Sequence, residues 1–268
     1  MWRKVYFLGV IILLVLGILS LIVPPSFFPQ DSDFSKAYLV FSVNYNQDII
    51  THSYTKEKVV ALTFDDGPDP RFTPSILDTL NKYHVKATFF VVGEDALLYP
   101  DLVQRAVAEG HEIENHTFTH PDLIKDTDLT INEEMLWCQE AIEHIVVRKP
   151  QYFRPPRKLF NANILKISDI YGYRTILWTV CLENHKAKTP EAMVRRVVRK
   201  CQPGSIVLAH DGHLDRSNTV KAMPLLIEAL QKKGYRFVTV DELVTNYNSS
   251  KAKKDLSYFL TSPATPAT

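Results

Sequence analysis

From residue 59 onward, short apolar runs of strand length alternate with longer segments of helical period. Few folds accept that pattern. The strand candidates are residues 59–64, 87–92, 112–115, 152–154, 174–180, 205–210 and 237–240. Between them lie helix candidates at 73–83, 101–108, 131–147, 161–171, 190–200 and 220–233. Gly110, Gly172 and Gly234 each follow a helix at its expected C-terminal stop. Pro74 and Pro190 sit near helix starts, where a missing N–H costs little. Strands alternating with helices in this way indicate an α/β fold around a parallel sheet, and seven such strands suggest a barrel. Periodicity does not show closure, so an open doubly wound sheet stays as the alternative.

The two ends of the chain read differently. Arg3 and Lys4 precede an apolar run at residues 5–23 in which only Ser20 is polar. That run matches the roughly 20 residues a helix needs to cross a bilayer, and its positive flank would stay cytoplasmic. A cleaved signal usually has a shorter core and a small-x-small site, whereas this run leads into Pro24-Pro25-Ser26-Phe27-Phe28. The expected organisation is a transmembrane anchor or uncleaved signal at 1–24 and a stalk and lead-in at 25–57. A catalytic domain follows at 58–245, and a disordered tail at 246–268. This arrangement places the protein in the cell membrane as a single-pass chain with its catalytic domain extracytoplasmic. A formal charge of +1 offers no field for nucleic acid, and none is expected as a partner. Cys138, Cys181 and Cys201 form neither an even disulfide framework nor a C-x-x-C pair, and read as small buried hydrophobes.

In parallel βα architectures, active sites form at the C-terminal ends of strands. Each unusual polar cluster here begins where an expected strand stops. The first is Thr63-Phe64-Asp65-Asp66-Gly67-Pro68. Two adjacent carboxylates ending a buried strand repel each other unless a cation or shared proton intervenes. The second is His116-Thr117-Phe118-Thr119-His120, whose histidines, four apart, would share one face of a helical turn and reach one ion. Two imidazoles and one carboxylate leave an open coordination position, as catalytic zinc requires. The third is Arg154-Pro155-Pro156-Arg157, which alone reads as a rigid surface turn. The fourth is Leu208-Ala209-His210-Asp211-Gly212, whose histidine alone reads as structural and opposite a metal becomes a general acid.

In this order the four motifs resemble the polysaccharide deacetylase family with the NodB homology domain, carbohydrate esterase family four. The resemblance runs from about Lys58 to Leu243. It implies a distorted (β/α)7 barrel and a hydrolase acting on linear amides. Asp65 would be the general base, with Asp66, His116 and His120 holding zinc, or cobalt or nickel in its place. The backbone N–H of Arg157 would stabilise the oxyanion, His210 would protonate the leaving amine, and Arg154 would orient Asp65. The implied activity is removal of N-acetyl groups from amino sugars of an extracytoplasmic polysaccharide, with peptidoglycan the expected glycan substrate. A deacylase or deformylase of a lipid-linked sugar and a carbohydrate-binding pseudoenzyme are the alternatives.

The chain departs from the family after its fifth strand, where Trp178-Thr179-Val180-Cys181-Leu182-Glu183-Asn184-His185 stands in place of Trp-x-Val-Asp-x-x-Asp-Trp. Cys181 and Asn184 replace two aspartates, and His185 replaces a tryptophan of the sugar groove. Arg157 and Glu114 stand where many members carry tyrosine and glycine. In the usual arrangement the second aspartate pairs with the arginine that sets the base. Asn184 brings no charge to that task, and Glu183 can replace it only if the chain turns irregular after Val180.

Overall fold

The computed structural model describes residues 49–247, so the apolar run at 5–23 and the residues after 247 lie outside it. Among the described residues, no helix is long and apolar enough to cross a membrane. Strand β1 (Val59–Asp65) is buried throughout and organises the sheet. It pairs in parallel with β7 (Ser205–His210) over six residues, from Val60 against Ser205 to Asp65 against His210. On its other side its C-terminal half meets β2 (Thr88–Val91), and its N-terminal half meets β8 (Arg236–Val238). Beyond β2 come β3 (Glu112–Asn115), β4 (Tyr152–Phe153) and β5 (Arg174–Thr175), and beyond β7 comes β6 (Val180–Cys181). The result is a curved parallel sheet, a half-barrel of α/β class, in agreement with the expected parallel architecture.

Successive side chains of a strand point to opposite faces, so β1 serves two cores at once. Val60, Leu62 and Phe64 pack outward, against buried residues of α1 (Thr73–Lys82), α3 (Pro100–Ala108), α4 (Asp128–Val146), α6 (Pro190–Lys200) and α7 (Ser217–Lys232). Val59 and Ala61 face inward, with Phe90, Tyr152, Ile176, Ile206 and Val238. That inner cluster is plugged by Val240, Leu243 and Val244 of α8 (Val240–Asn246), a helix capped by the Thr239 side chain. Further along the same inner face, apolar residues give way to Thr63 and Asp65. The site therefore sits where the inner face leaves its apolar floor and reaches the C-terminal rim.

Several boundaries follow the sequence closely. Strand β7 and helix α6 have the expected bounds, and the latter begins at a Thr189 cap followed by Pro190. Gly110, Gly172 and Gly234 take φ of +83°, +75° and +83°, the left-handed values that end helices. The strand expected at 174–180 is instead two strands, β5 and β6. The chain there leaves β4 and passes to β7, while Ile50 bridges to Ile176 and His52 to Ser205. Residues 237–240 do not form one strand, because Val240 begins α8. Two further helices complete the description, α2 (Gly93–Leu98), which periodicity did not reveal, and α5 (Ala162–Ile170). The three cysteines are free, but only Cys138 is buried; Cys181 and Cys201 are partly exposed, so two of the three are not core residues.

Candidate active site

Asp65 is the last residue of β1, and Arg154 directly follows β4. Arg154 Nη1 donates to Asp65 Oδ1 at 2.6 Å and to Thr63 Oγ1 at 2.9 Å. Its remaining nitrogens donate to the Ile176 and Leu177 carbonyls at 3.2 and 3.3 Å. The guanidinium lies 4.0 Å from the Phe90 ring centroid, so a fully buried cation is satisfied on every side. Burial pulls the Arg154 pKa down against the Asp65 charge, which pushes it up. An arginine starts so far above neutral pH that it stays charged. Asp65 is left with Oδ2 unengaged by Arg154 and 3.8 Å from His116 Nε2.

Asp66 follows with φ +71°, a left-handed residue that turns its carboxylate toward the histidines. Asp66 Oδ1 lies 3.5 Å from His116 Nε2 and 3.3 Å from His120 Nε2. His116 Nδ1 sits 2.7 Å from the Arg154 carbonyl, where only an N–H fits, so Nε2 carries the lone pair that faces Asp66. Burial and the neighbouring His116 pull His120 down to about 3, leaving it neutral at pH 7. For Asp66, burial works to raise the pKa, but in the acid range where this group titrates the imidazoles are protonated, and the His116 hydrogen bond and the charges of His116, His210 and His120 outweigh burial and hold it low. Lone pairs and a carboxylate thus converge. The oxygen–nitrogen edges also match the roughly 3.4 Å expected when both atoms bind one tetrahedral ion at about 2.1 Å. Asp66 Oδ1 is thus placed to share a divalent ion with His116 and with His120, and the trio whose ligand atoms all lie within 4.8 Å of one another is Asp66, His120 and His213.

The two histidines meet for a different reason than their spacing implied. Residues 116–120 form no helical turn; Thr117 and His120 have φ of +71° and +58° in an irregular bend. Buried Glu134 of α4 holds that bend, accepting from the Phe118 and Thr119 amides at 2.8 Å each and from Thr119 Oγ1 at 2.7 Å.

His210 ends β7 in register with Asp65, so the two stand side by side on neighbouring strands. Its Nδ1 lies 3.0 Å from Glu183 Oε2, while Glu183 Oε1 accepts from the His210 amide at 3.1 Å and from Thr219 Oγ1 at 2.7 Å. Burial lowers the His210 pKa, but the Glu183 hydrogen bond and the carboxylates of Glu183, Asp65 and Asp66 prevail and raise it. Neither residue of the fifth motif pairs with Arg154, whose ion partner is Asp65. Asn184 accepts from the Lys186 amide in a local turn and is not a partner of Arg154, and Glu183 goes to His210 instead. The reason is geometric: β6 ends at Cys181 and the chain bends, turning Glu183 inward beneath His210. Arg157 follows the two prolines at φ +56°, with its side chain exposed and its backbone in a tight 3-10 turn. His185 is exposed.

Two residues near the rim, Arg216 and His213, escaped the sequence reading, and a third, Asp211, was given no role there. Arg216 Nη2 donates to Asp66 Oδ2 at 3.0 Å, and its Nε donates to the Gly212 carbonyl at 2.8 Å. His213, at φ +64°, brings a ring nitrogen within 4.8 Å of ligating atoms on Asp66 and His120, and lies 3.5 Å from Asp95. Asp211 is buried, accepts from Thr73 Oγ1 at 2.6 Å, and is pushed up to about 7 by burial. The first two belong to a loop with no periodicity to draw attention to them, although an Asp-Gly after His210 marks where that loop starts.

Comparison with known proteins gives one answer. Residues 52–176 match the polysaccharide deacetylase family. A peptidoglycan-N-acetylglucosamine deacetylase of Bacillus cereus is 42% identical over 190 residues, covering 70% of this chain and 89% of that protein. A solved peptidoglycan N-acetylglucosamine deacetylase superposes with a TM-score of 0.72 at 31% identity, over 80% of this chain and 99% of its own. A pseudoenzyme of carbohydrate esterase family four from Bacillus anthracis superposes with a TM-score of 0.70 at 30% identity, over 76% of this chain and 71% of its own.

Proposed function

This chain belongs to the polysaccharide deacetylase family, and from that premise we propose that it hydrolyses the N-acetyl groups of amino sugars in peptidoglycan. The observation that carries the reading is the convergence of Asp66, His116 and His120 beside an arginine-held Asp65. A fold of this kind also serves a pseudoenzyme, so the fold alone does not support turnover. Within the family's plan, the half-barrel is a distorted (β/α)7 barrel.

In this reading Asp66, His116 and His120 would hold a divalent ion, zinc or in its place cobalt or nickel, which when bound would supply Lewis-acid polarisation of the acyl carbonyl. Asp65 takes the proton of the attacking water at Oδ2, because Oδ1 is engaged by Arg154. Arg154 orients that carboxylate by holding Oδ1, which leaves Oδ2 free on the side of His116. The backbone N–H of Arg157 faces the developing oxyanion. His210 gives a proton from Nε2 to the departing amine, since Nδ1 is held by Glu183. Acetate and a free amino sugar leave. Outside the described residues, the run at 5–23 serves as a membrane anchor that holds the catalytic domain beside the wall; the expected tail at 246–268 starts later than its first residue, because Asn246 closes α8.

The test is release of acetate by the full chain from N-acetylated peptidoglycan, compared with acetate from O-acetylated glycans and formate from an N-formyl lipid-linked sugar. Release from peptidoglycan, abolished by Asp65→Asn, is the expected result. Release from the O-acyl or lipid-linked substrates alone overturns the substrate assignment.

A further inference from the structure

We infer that Cys181, Glu183 and His210 form a second metal site, which takes a soft divalent cation and silences the proton donor. Its effect on turnover rests on the role proposed for His210, whereas its binding geometry does not. Cys181 Sγ lies 3.5 Å from Glu183 Oε2, and that oxygen lies 3.0 Å from His210 Nδ1. All three ligating atoms fall within 4.8 Å of one another. An ion bound tetrahedrally at about 2.3 Å to sulfur and about 2.0–2.1 Å to oxygen and nitrogen requires a sulfur–oxygen edge of about 3.5 Å and an oxygen–nitrogen edge of about 3.3 Å. The first edge already matches, and the second needs to open by a few tenths of an ångström.

Two further features favour a site over a chance cluster. Glu183 Oε1 is fixed by the His210 amide and Thr219 Oγ1, so Oε2 is presented without rearrangement. All three side chains are part-exposed, which leaves the remaining coordination position open to water. Sulfur decides the selectivity. The aspartate usual at position 181 would give an oxygen donor, whereas Cys181 turns the set toward zinc, cadmium or copper and away from magnesium and calcium.

Coordination sends the Sγ proton to solvent and confines the imidazole's single proton to Nε2. With Nδ1 held by the ion, His210 cannot become imidazolium. Its Nε2 proton could then leave only by forming imidazolate, which makes it a far weaker acid. Occupancy therefore stops amine protonation while the site formed by Asp66, His116 and His120 stays intact.

The experiment titrates cadmium into the full chain loaded with zinc and follows the ultraviolet thiolate-to-metal charge-transfer band alongside acetate release. One saturable equivalent of thiolate-bound cadmium is expected, rising in step with inhibition. Cadmium exchanging at Asp66, His116 and His120 gives no such band, since no thiolate is there. Cys181→Ala should lose the band while keeping Cys138 and Cys201, retain basal acetate release, and need at least about tenfold more cadmium for inhibition. Glu183→Gln should weaken the band. A band that persists in Cys181→Ala, or none in the unaltered chain, overturns the site and leaves the deacetylase reading standing. A Cys181-dependent band in a chain that releases no acetate supports the site and sinks the deacetylase reading instead.

Discussion

The concave face buries carboxylates in two places, at the floor plugged by α8 and at the C-terminal rim, and it treats Glu114 of the floor and Asp66 of the rim in opposite ways. On the floor, Glu114 Oε2 accepts from the Gln151 and Tyr152 amides at 2.7 Å each. Its neighbour Glu112 accepts from Thr88 Oγ1 at 2.6 Å and from the Asp241 amide at 3.2 Å. These partners are neutral dipoles, and burial wins: it pushes Glu114 up to about 8 and also raises Glu112. At the rim the same burial acts on Asp66, but the His116 hydrogen bond and the charges of the surrounding imidazoles outweigh it, and its pKa falls. Burial by itself therefore does not mark chemistry. The partners' charge does, because only at the rim is the ionised form favoured where a cation and a substrate can reach it.

The largest expected effect comes from breaking the rim. Replacing His116 and His120 together by Ala should remove the bound metal and lower acetate release by at least about 10³-fold, the scale of several kcal/mol of lost charge stabilisation. Melting temperature should stay near that of the unaltered chain, because neither side chain belongs to a hydrophobic cluster. Metal analysis with calorimetry checks both, and retained activity would break the contrast at its root. Gly212→Ala comes next. A Cβ there would sit 1.7 Å from the Asp66 carbonyl oxygen, backbone against backbone, so the loops after β1 and β7 must part. The expected cost is about 1–3 kcal/mol with weakened metal binding, read by denaturation and chelator competition.

Glu183→Gln is smaller and sharper. The carboxylate raises the His210 pKa, so its loss lets imidazolium deprotonate at lower pH. The basic limb of the kcat/KM profile should shift to lower pH, with kcat falling by roughly tenfold or more. An unmoved limb would mean that Glu183 only packs.

How much of this contrast was legible beforehand depended on the kind of signal. The rim's acidic and histidine pairs stood out because polar residues interrupted strand-end apolar runs, and Asp65, Asp66, His116, His120, Arg154 and His210 do converge. The local picture behind the histidine spacing was wrong: a bend held by Glu134, a residue 14 positions beyond His120, and not a helical turn, brings both rings to Asp66. Glu183 could not be assigned from pattern, since its direction depends on where β6 stops. Arg216 and His213 sit in a loop, where no period links residue to face. On the floor, Glu112 and Glu114 alternate within a short strand and read as polar positions; only the packing of α8 and β4 against them shows that both are buried.

The smallest effect on activity, and the cleanest separation of floor from rim, is expected from Glu114→Gln. An acid whose folded-state pKa is raised from 4.5 to about 8 holds a proton in the fold that the unfolded chain has already released. Stability is therefore fully present below about pH 4.5, declines as pH rises through that window, and levels off above about pH 8. Glutamine imitates the protonated acid. Its carbonyl can take the two amide hydrogen bonds, and its NH2 would stand where Glu114 Oε1 has no hydrogen-bond partner. The variant should match the unaltered chain near pH 5 and exceed it near pH 8 by up to a few kcal/mol, with a flatter dependence of melting temperature on pH. Acetate release at a fixed temperature well below melting should be unchanged, because Glu114 bonds to the start of β4 and not to the rim. Equal pH slopes in the two proteins would show that Glu114 is ionised in the fold after all. A fall in acetate release at unchanged stability would show that the floor and the rim are one coupled network.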